Sequence, residues 1–239
     1  MRSALSAFKF LTICGRFDAD KLSPKQIGAG ALFFPLVGLI LGLVLALLNR
    51  LLEPYLESEI LGVALITMLI VMTGASHLEG TQQTFDALSG KPRGENKPSG
   101  IYGFLVVLLI VLFKVRAAEV IGETRTLSLL VTPVLARWSL VMFLYGSTAV
   151  ADPSARVVAE NVRGWHLLVA TIATLTFAVF MVGRTVLWIG LCLSLLALFS
   201  RAYLHHRHGG ITCNQLGAVI ELSETLSLTL FASLYQQSS

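Results

Sequence analysis

Glu79, Gln83 and Asp86 are the residues of this chain whose types and spacing point most directly to chemistry. Separated by four and three positions, they project from one face of a continuous helix over two turns. Two carboxylates with an amide between them can hold a magnesium ion, which takes few protein ligands and fills its shell with water and phosphate oxygens. A solvated helix end would carry the same residue types, and nothing local separates the two readings. The trio belongs to the segment His77-Leu-Glu79-Gly-Thr-Gln-Gln83-Thr-Phe-Asp86, which directly follows the apolar Leu-Ile-Val-Met-Thr-Gly-Ala-Ser.

Other candidates lie at or within apolar runs. Gly100-Ile-Tyr-Gly103 opens one run and Gly209-Gly210 precedes another. Glycines beside a helix start let backbone N–H groups approach a phosphate, although helix-breaking turns use the same residues. Lys114, Arg116 and Arg137 fall inside or near the ends of apolar runs, where a charge costs at least ~2.5–3.5 kcal/mol unless it snorkels or pairs. Arg137, in mid-run behind Pro133, is expected to face a polar cavity together with Glu221. Lys114 and Arg116 are expected to snorkel to the outer surface, with Glu221 and Glu224 as available counter-charges. The run His205-His206-Arg207-His208 reads as a hydrated juxtamembrane loop, with metal or phosphate binding as the alternative. Cys14, Cys192 and Cys213 are scattered and suggest neither a disulfide framework nor a zinc site.

The elements that must position these residues follow from composition. The chain is 55% hydrophobic and 13% charged, with a mean hydropathy of +0.76, whereas an ordinary soluble domain carries about 25% charged residues. Apolar runs at about 28–49, 60–75, 101–121, 127–147, 165–183, 185–203 and 215–235 each approach the ~17–25 residues of a spanning helix. The expected fold is all-α: one polytopic membrane bundle of about six or seven transmembrane helices, occupying 1–239 as a single domain. Residues 1–14 show helical spacing of Leu5, Phe8, Leu11 and Thr12 interrupted by Ser3, Ser6 and Lys9, as in an interfacial helix rather than a cleaved signal. A net charge of +4 does not imply nucleic acid, because the basic residues sit in short loops between apolar runs.

Short loops rich in Lys and Arg are retained in the cytoplasm. Arg2, Lys9, Arg16, Lys21 and Lys25 put the amino terminus inside. Counting through the runs places Lys91, Arg93 and Lys97, then Arg156 and Arg163, then Arg201 and Arg207, on the same side. The segments 76–99, 148–164 and 201–214 are therefore expected to share one face. Neither an internal repeat nor a low-complexity tract is visible, which argues against a small-solute transporter built from repeated halves.

At this point a resemblance enters. The phrases Phe34-Pro35-Leu-Val-Gly38-Leu-Ile-Leu-Gly42, Met-Thr-Gly74-Ala-Ser-His77-Leu-Glu-Gly80 and Gly209-Gly210-Ile-Thr212-Cys-Asn-Gln-Leu-Gly217-Ala-Val-Ile-Glu221-Leu-Ser-Glu224 resemble the cobalamin synthase family, the adenosylcobinamide-GDP ribazoletransferases. The match keeps order and spacing over nearly the whole chain, Lys114 and Arg137 included. The resemblance implies a magnesium-dependent enzyme in the cytoplasmic membrane of a bacterium or archaeon, with its site facing the cytoplasm. A hydroxyl of α-ribazole, or of its 5′-phosphate, would attack the cobinamide-linked phosphate of adenosylcobinamide-GDP and expel GMP. It implies His77, Glu79 and Asp86 as catalytic, with Glu79, Gln83 and Asp86 around the metal. Substrate phosphate would fall to Gly100, Gly103, Lys114, Arg137, Arg156, Gly209 and Gly210, and a polar cavity to Asn96, Asn214, Glu221 and Glu224. Other proteins of the pathway, or a second copy, would be its partners in the lipid bilayer.

The chain departs from the family pattern at acidic positions. The motif His-Leu-Asp-Gly-x-Ala-Asp-x-x-Asp-Gly has Glu79, Gln83 and Asp86 at its three aspartates and Ala87 at its final glycine. Asn96 stands for an aspartate ahead of the glycine turn, Cys213-Asn214 stands for Gly-Asp, and the stretch between Asp86 and Gly100 is shortened. Two readings follow. One is the transferase itself, and the other is a paralogue of the same fold that has lost the reaction and binds a corrinoid or nucleotide, or serves a membrane assembly.

Overall fold

In hydrocarbon a peptide group has no water to bond, so a long apolar segment closes its hydrogen bonds internally as a helix. A computed structural model, which describes residues 2–16, 23–89 and 100–235, bears this out. Among the described residues there are eleven α-helices and no strand. They are α1 (Arg2–Leu11), α2 (Pro24–Ala29), α3 (Phe34–Leu52), α4 (Ser58–Thr73), α5 (Ser76–Leu88) and α6 (Ile101–Val120). The remainder are α7 (Arg125–Leu144), α8 (Pro153–Glu160), α9 (Gly164–Val182), α10 (Val186–His208) and α11 (Cys213–Tyr235). Six helical stretches are long and apolar enough to cross a membrane, and a seventh arises if the bent pair α4 and α5 counts as one span. The chain is a polytopic helical membrane protein.

The expected runs correspond to α3, α4, α6, α7, α9, α10 and α11, with ends displaced by a few residues. The short helices α2, α5 and α8 were not expected as separate elements, because polar runs of 6 to 13 residues carry no span signal. The amino-terminal helix exists as α1, but its expected apolar stripe divides: Leu11 and Thr12 are buried while Leu5 is 53% exposed. Its other buried positions are Ser6 and Ala7, which lie on the face packed against α2 and α3.

The sharpest departure from a continuous second span is the break between α4 and α5. Gly74 (φ 61°) and Ala75 (φ 57°) both adopt the left-handed conformation, which costs a non-glycine residue roughly 1–2 kcal/mol. The two helices consequently meet at 86°. This bend lays the polar α5 against α11 and α6, where its carboxylates face the bundle end rather than lipid.

The core is organised around α7. Seventeen of its twenty residues are buried, as befits a helix surrounded on all sides, and α3, α11, α9 and α10 pack around it. By contrast α6, α9 and α10 present Leu108, Ile172, Phe180, Trp188 and Phe199 outward, which suits a surface solvated by acyl chains. The closest packing is between α3 and α7. A Cβ at Gly38 would stand 2.3 Å from the Pro133 carbonyl oxygen, and one at Gly42 would stand 2.2 Å from that of Leu130. Small residues four apart let two backbones touch in a membrane, where dispersion and close fit replace the hydrophobic effect.

Gly42→Leu is therefore expected to force α3 off α7 and to lower the melting temperature of the detergent-purified protein sharply. Leu43→Phe, one position along on a side chain that is 53% exposed, is the control and should leave it nearly unchanged. Equal melting temperatures for the two variants would refute the glycine contact.

Candidate active site

The strongest electrostatic feature lies beneath the site. Lys114 of α6 donates to Glu221 at 2.6 Å and also to Glu224, both on α11, and Arg137 of α7 donates to the second oxygen of Glu224. Glu221 and Glu224 are three residues apart on one helix face, so a single helix answers both cations. All four residues are 3% exposed or less, and their formal charges cancel. Lys114 therefore does not snorkel, because two carboxylates lie closer than any surface. Arg116 stays exposed and pairs with Glu119. The polar seam continues along α7 and α11 through Ser139 with Ser223 at 2.7 Å and Thr132 with Ser227 at 3.2 Å. Arg137 and Glu221 thus belong to one closed, buried polar cluster rather than to the cavity expected of them. His77 of α5 is buried beside it, and its Nε2, like Nε and Nη2 of Arg137, has no hydrogen-bond partner among the described residues.

Above this cluster, α5 supplies the rim. Both Asp86 oxygens accept backbone N–H groups at the start of α6, from Gly100 at 2.8 Å and from Gly103 at 2.8 Å. The partial positive charge of a helix amino terminus favours such an acceptor. A Cβ at Gly103 would strike the Gln82 carbonyl oxygen at 2.2 Å, so the glycine is what admits α5 here. The N–H groups expected to cradle a substrate phosphate are thus bound to the chain's own carboxylate. Gln83 turns to α11: its carbonyl oxygen accepts from Asn214 at 2.7 Å and its amide donates to Glu79 at 3.2 Å.

The loop between α7 and α8 completes the rim. Arg156 is fastened to it, donating to the Ala149 and Val150 carbonyls at 2.9 and 2.7 Å. Gly209 ends α10 in the left-handed conformation, and Gly210 presses on Thr148, whose carbonyl accepts the Ile211 N–H at 2.7 Å. Asp152 escaped sequence reasoning. It caps α8 through Ala155 N–H at 3.0 Å and also receives the Cys213 N–H at 2.8 Å, so one carboxylate holds the starts of both α8 and α11. Burial works against its ionisation, but the N–H of Ala155 and the N–H and thiol of Cys213 outweigh burial and hold the carboxyl below its ordinary value. The available signal was Asp152-Pro153, a capping acid followed by proline at the first helical position. Thr212 and Gln215 form half a capping box at α11, with Thr212 N–H donating to the Gln215 side chain at 2.8 Å.

These parts surround a pocket of about 460 Å³. Gln83 and Thr84 of α5, Asp152 and Pro153 of the loop, and His208, Thr212, Asn214 and Gln215 line it. The described portions of 76–99, 148–164 and 201–214 therefore meet at one end of the bundle, as the count of basic loops required. Asn96 and the basic residues Lys91, Arg93 and Lys97 lie outside the described residues.

Among the described residues no three of His, Cys, Asp and Glu gather as metal ligands. What α5 offers is Glu79 and Asp86 two turns apart, with both Asp86 oxygens accepting backbone N–H groups and the Gln83 carbonyl accepting from Asn214. Magnesium needs only one or two protein carboxylates and completes its shell with water and phosphate oxygens; Glu79 and Asp86 are the residues of α5 that would hold it.

Comparison with known proteins follows the geometry. A family model described as cobalamin-5-phosphate synthase matches residues 3–232. An adenosylcobinamide-GDP ribazoletransferase from Syntrophobacter fumaroxidans is 34% identical over 250 residues, covering 96% of this chain and 98% of the relative. One from Geotalea daltonii is 29% identical over 236 residues, covering 95% and 96%. No solved structure matches the chain significantly.

Two outcomes test this construction. Lys114→Met, which leaves the buried Glu221 without its ion-pair partner and Glu224 with Arg137 alone, is expected to cost about 3–5 kcal/mol in unfolding free energy. Lys114→Met with Glu221→Leu leaves the Arg137–Glu224 pair balanced and should recover most of that loss; an additive double variant would contradict the shared network. Asp152 ionises more readily folded than unfolded, so its contribution holds above its ordinary value of 3.8 and disappears as pH falls through the folded value. The melting-temperature gap between natural protein and Asp152→Asn should be present at neutral pH and close in strong acid. A gap independent of pH would refute the capping role.

Proposed function

The chain belongs to the cobalamin-5-phosphate synthase family, and from that premise we propose that it is an integral membrane ribazoletransferase. It joins α-ribazole, or its 5′-phosphate, to adenosylcobinamide-GDP in a late step of cobalamin biosynthesis. The acceptor hydroxyl oxygen forms a bond to the cobinamide-linked phosphorus, the bond from that phosphorus to the bridging oxygen breaks, and GMP leaves with that oxygen. The hydroxyl proton passes to solvent. Such a transfer rests on positioning and charge stabilisation more than on a covalent nucleophile.

One observation carries the assignment of the site: the polar pocket between α5, the loop before α8 and the start of α11 is lined by Gln83, whose amide donates to Glu79. Its lining of amides, hydroxyls and the Asp152 carboxylate suits a nucleoside, whose hydroxyl and ring nitrogens need neutral partners and acceptors. Glu79 and Asp86 would hold magnesium, which would supply positive charge to the substrate's phosphate groups. Asp86 also orients the start of α6, so it links the metal position to the bundle. His77, buried beneath α5, acts as a positioning residue. Lys114, Arg137, Glu221 and Glu224 set the floor on which α5 rests. The substrates are charged, which supports a site on the cytoplasmic side of the cytoplasmic membrane, near the basic loops.

A second reading, a lapsed paralogue that binds a corrinoid or nucleotide, is favoured by Gln83 and Asn214 at positions where the family motif carries aspartate. Turnover decides between them. Protein in detergent with magnesium, adenosylcobinamide-GDP and α-ribazole should release GMP and form adenosylcobalamin, and Asp86→Ala should abolish both. Absence of GMP at saturating magnesium, with corrinoid binding retained, would establish the second reading instead.

A further inference from the structure

Gln83 and Asn214 touch each other, and that contact has a chemistry of its own. The Asn214 amide donates to the Gln83 carbonyl at 2.7 Å, and the Gln83 amide donates to the Glu79 carboxylate at 3.2 Å. Three side chains thus form a directed chain from a neutral donor on α11 to an anion on α5. Backbone contact sets the spacing between the helices. A Cβ at Gly80 would meet the Asn214 carbonyl oxygen at 2.6 Å, and one at Gly217 would meet that of His77 at 2.9 Å. The rims cannot slide to suit a different pair. Two carboxylates in place of these amides would have only acceptors to offer each other and would need a cation between them; two amides need none. Asp86, the other acid on this face, has both oxygens turned to Gly100 and Gly103.

We infer that Asn214, Gln83 and Glu79 form a hydrogen-bonded clasp that closes α5 onto the start of α11 without needing a divalent ion. The site keeps its shape without a resident divalent ion and takes up magnesium only together with a diphosphate-bearing ligand. The clasp stands on the hydrogen bonds alone, whereas its consequence for the ligand rests on the transferase reading. Gln83 and Asn214 are positioning residues, and exchanging both for acids converts a neutral lock into one that demands metal.

The test uses the full chain in detergent, with melting followed by tryptophan fluorescence and magnesium binding by titration calorimetry. The natural protein should melt at the same temperature in chelator and in millimolar magnesium chloride and show no magnesium heat. It should be stabilised by magnesium with inorganic pyrophosphate. Gln83→Asp with Asn214→Asp should melt lower in chelator and be raised by magnesium alone, by about 2–4 °C or more, the displacement that about 1 kcal/mol produces in a chain of this size. Gln83→Leu should melt lower than the natural protein with no rescue by magnesium. Should the double variant fail to fold, Gln83→Glu, which keeps the bond from Asn214 and adds a charge beside Glu79, should show the same magnesium response. Stabilisation of the natural protein by magnesium alone would overturn the clasp, as would acidic variants indifferent to the ion. None of these measurements involves turnover, so failure of the clasp and failure of the transferase assignment are separate results.

Discussion

The bundle depends on a set of four charges that hydrocarbon would not tolerate singly. Lys114, Arg137, Glu221 and Glu224 come from three helices and are buried. A lone charge at that depth carries a penalty of several kcal/mol, so α6, α7 and α11 cannot each face lipid with these residues and must associate. The arrangement is specific because Glu224 is shared: one oxygen serves α6 and the other α7. A two-helix pairing would leave one member uncompensated. The network thus defines which helices are neighbours and at what rotation, and the glycine contact of α3 with α7 adds the fourth wall.

The site is built on that floor from helix starts. The amino termini of α6, α8 and α11 are gathered at one end of the bundle, and each exposes N–H groups that need acceptors. Asp86 serves α6, Asp152 serves α8 and α11 together, and Gln215 serves Thr212. Carboxylates that look in sequence like free ligands are therefore partly committed to holding the scaffold. This commitment positions them: an acid bonded to two backbone N–H groups has little rotational freedom left to lose when a metal or substrate arrives. Arg156 illustrates the same economy, since its guanidinium secures two carbonyls of the loop that supplies Ala151 and Asp152 to the pocket.

Much of the membrane architecture was legible because span length and apolarity are local, additive properties. Runs near 101–121 and 215–235 became α6 and α11 almost without adjustment. Charged residues within such runs were equally legible as things that need partners. The identity of those partners was less so: Lys114 could snorkel by its position along the chain, and only the proximity of α11 made an ion pair closer than the surface. The turn at Gly74 and Ala75 was hidden for a related reason. Ala75 is no helix breaker, and it takes a left-handed conformation because packing of α5 on α11 outweighs its local cost.

What this sequence by itself determined is that the chain fills a membrane with helices, that it carries the motifs of the cobalamin-5-phosphate synthase family, and that its acidic face differs from the family pattern at Gln83 and Asn214. Periodicity and apolar length suffice for the first conclusion; the other two come from the resemblance of its motifs to that family. That Gln83 and Asn214, 131 residues apart, answer each other, that Asp86 is turned to Gly100 and Gly103, and that Asp152 ties two helices together were decided by tertiary structure alone. A hydrogen bond needs its two atoms at one distance and angle in space, and spacing along a chain carries no such information once the residues lie on different helices.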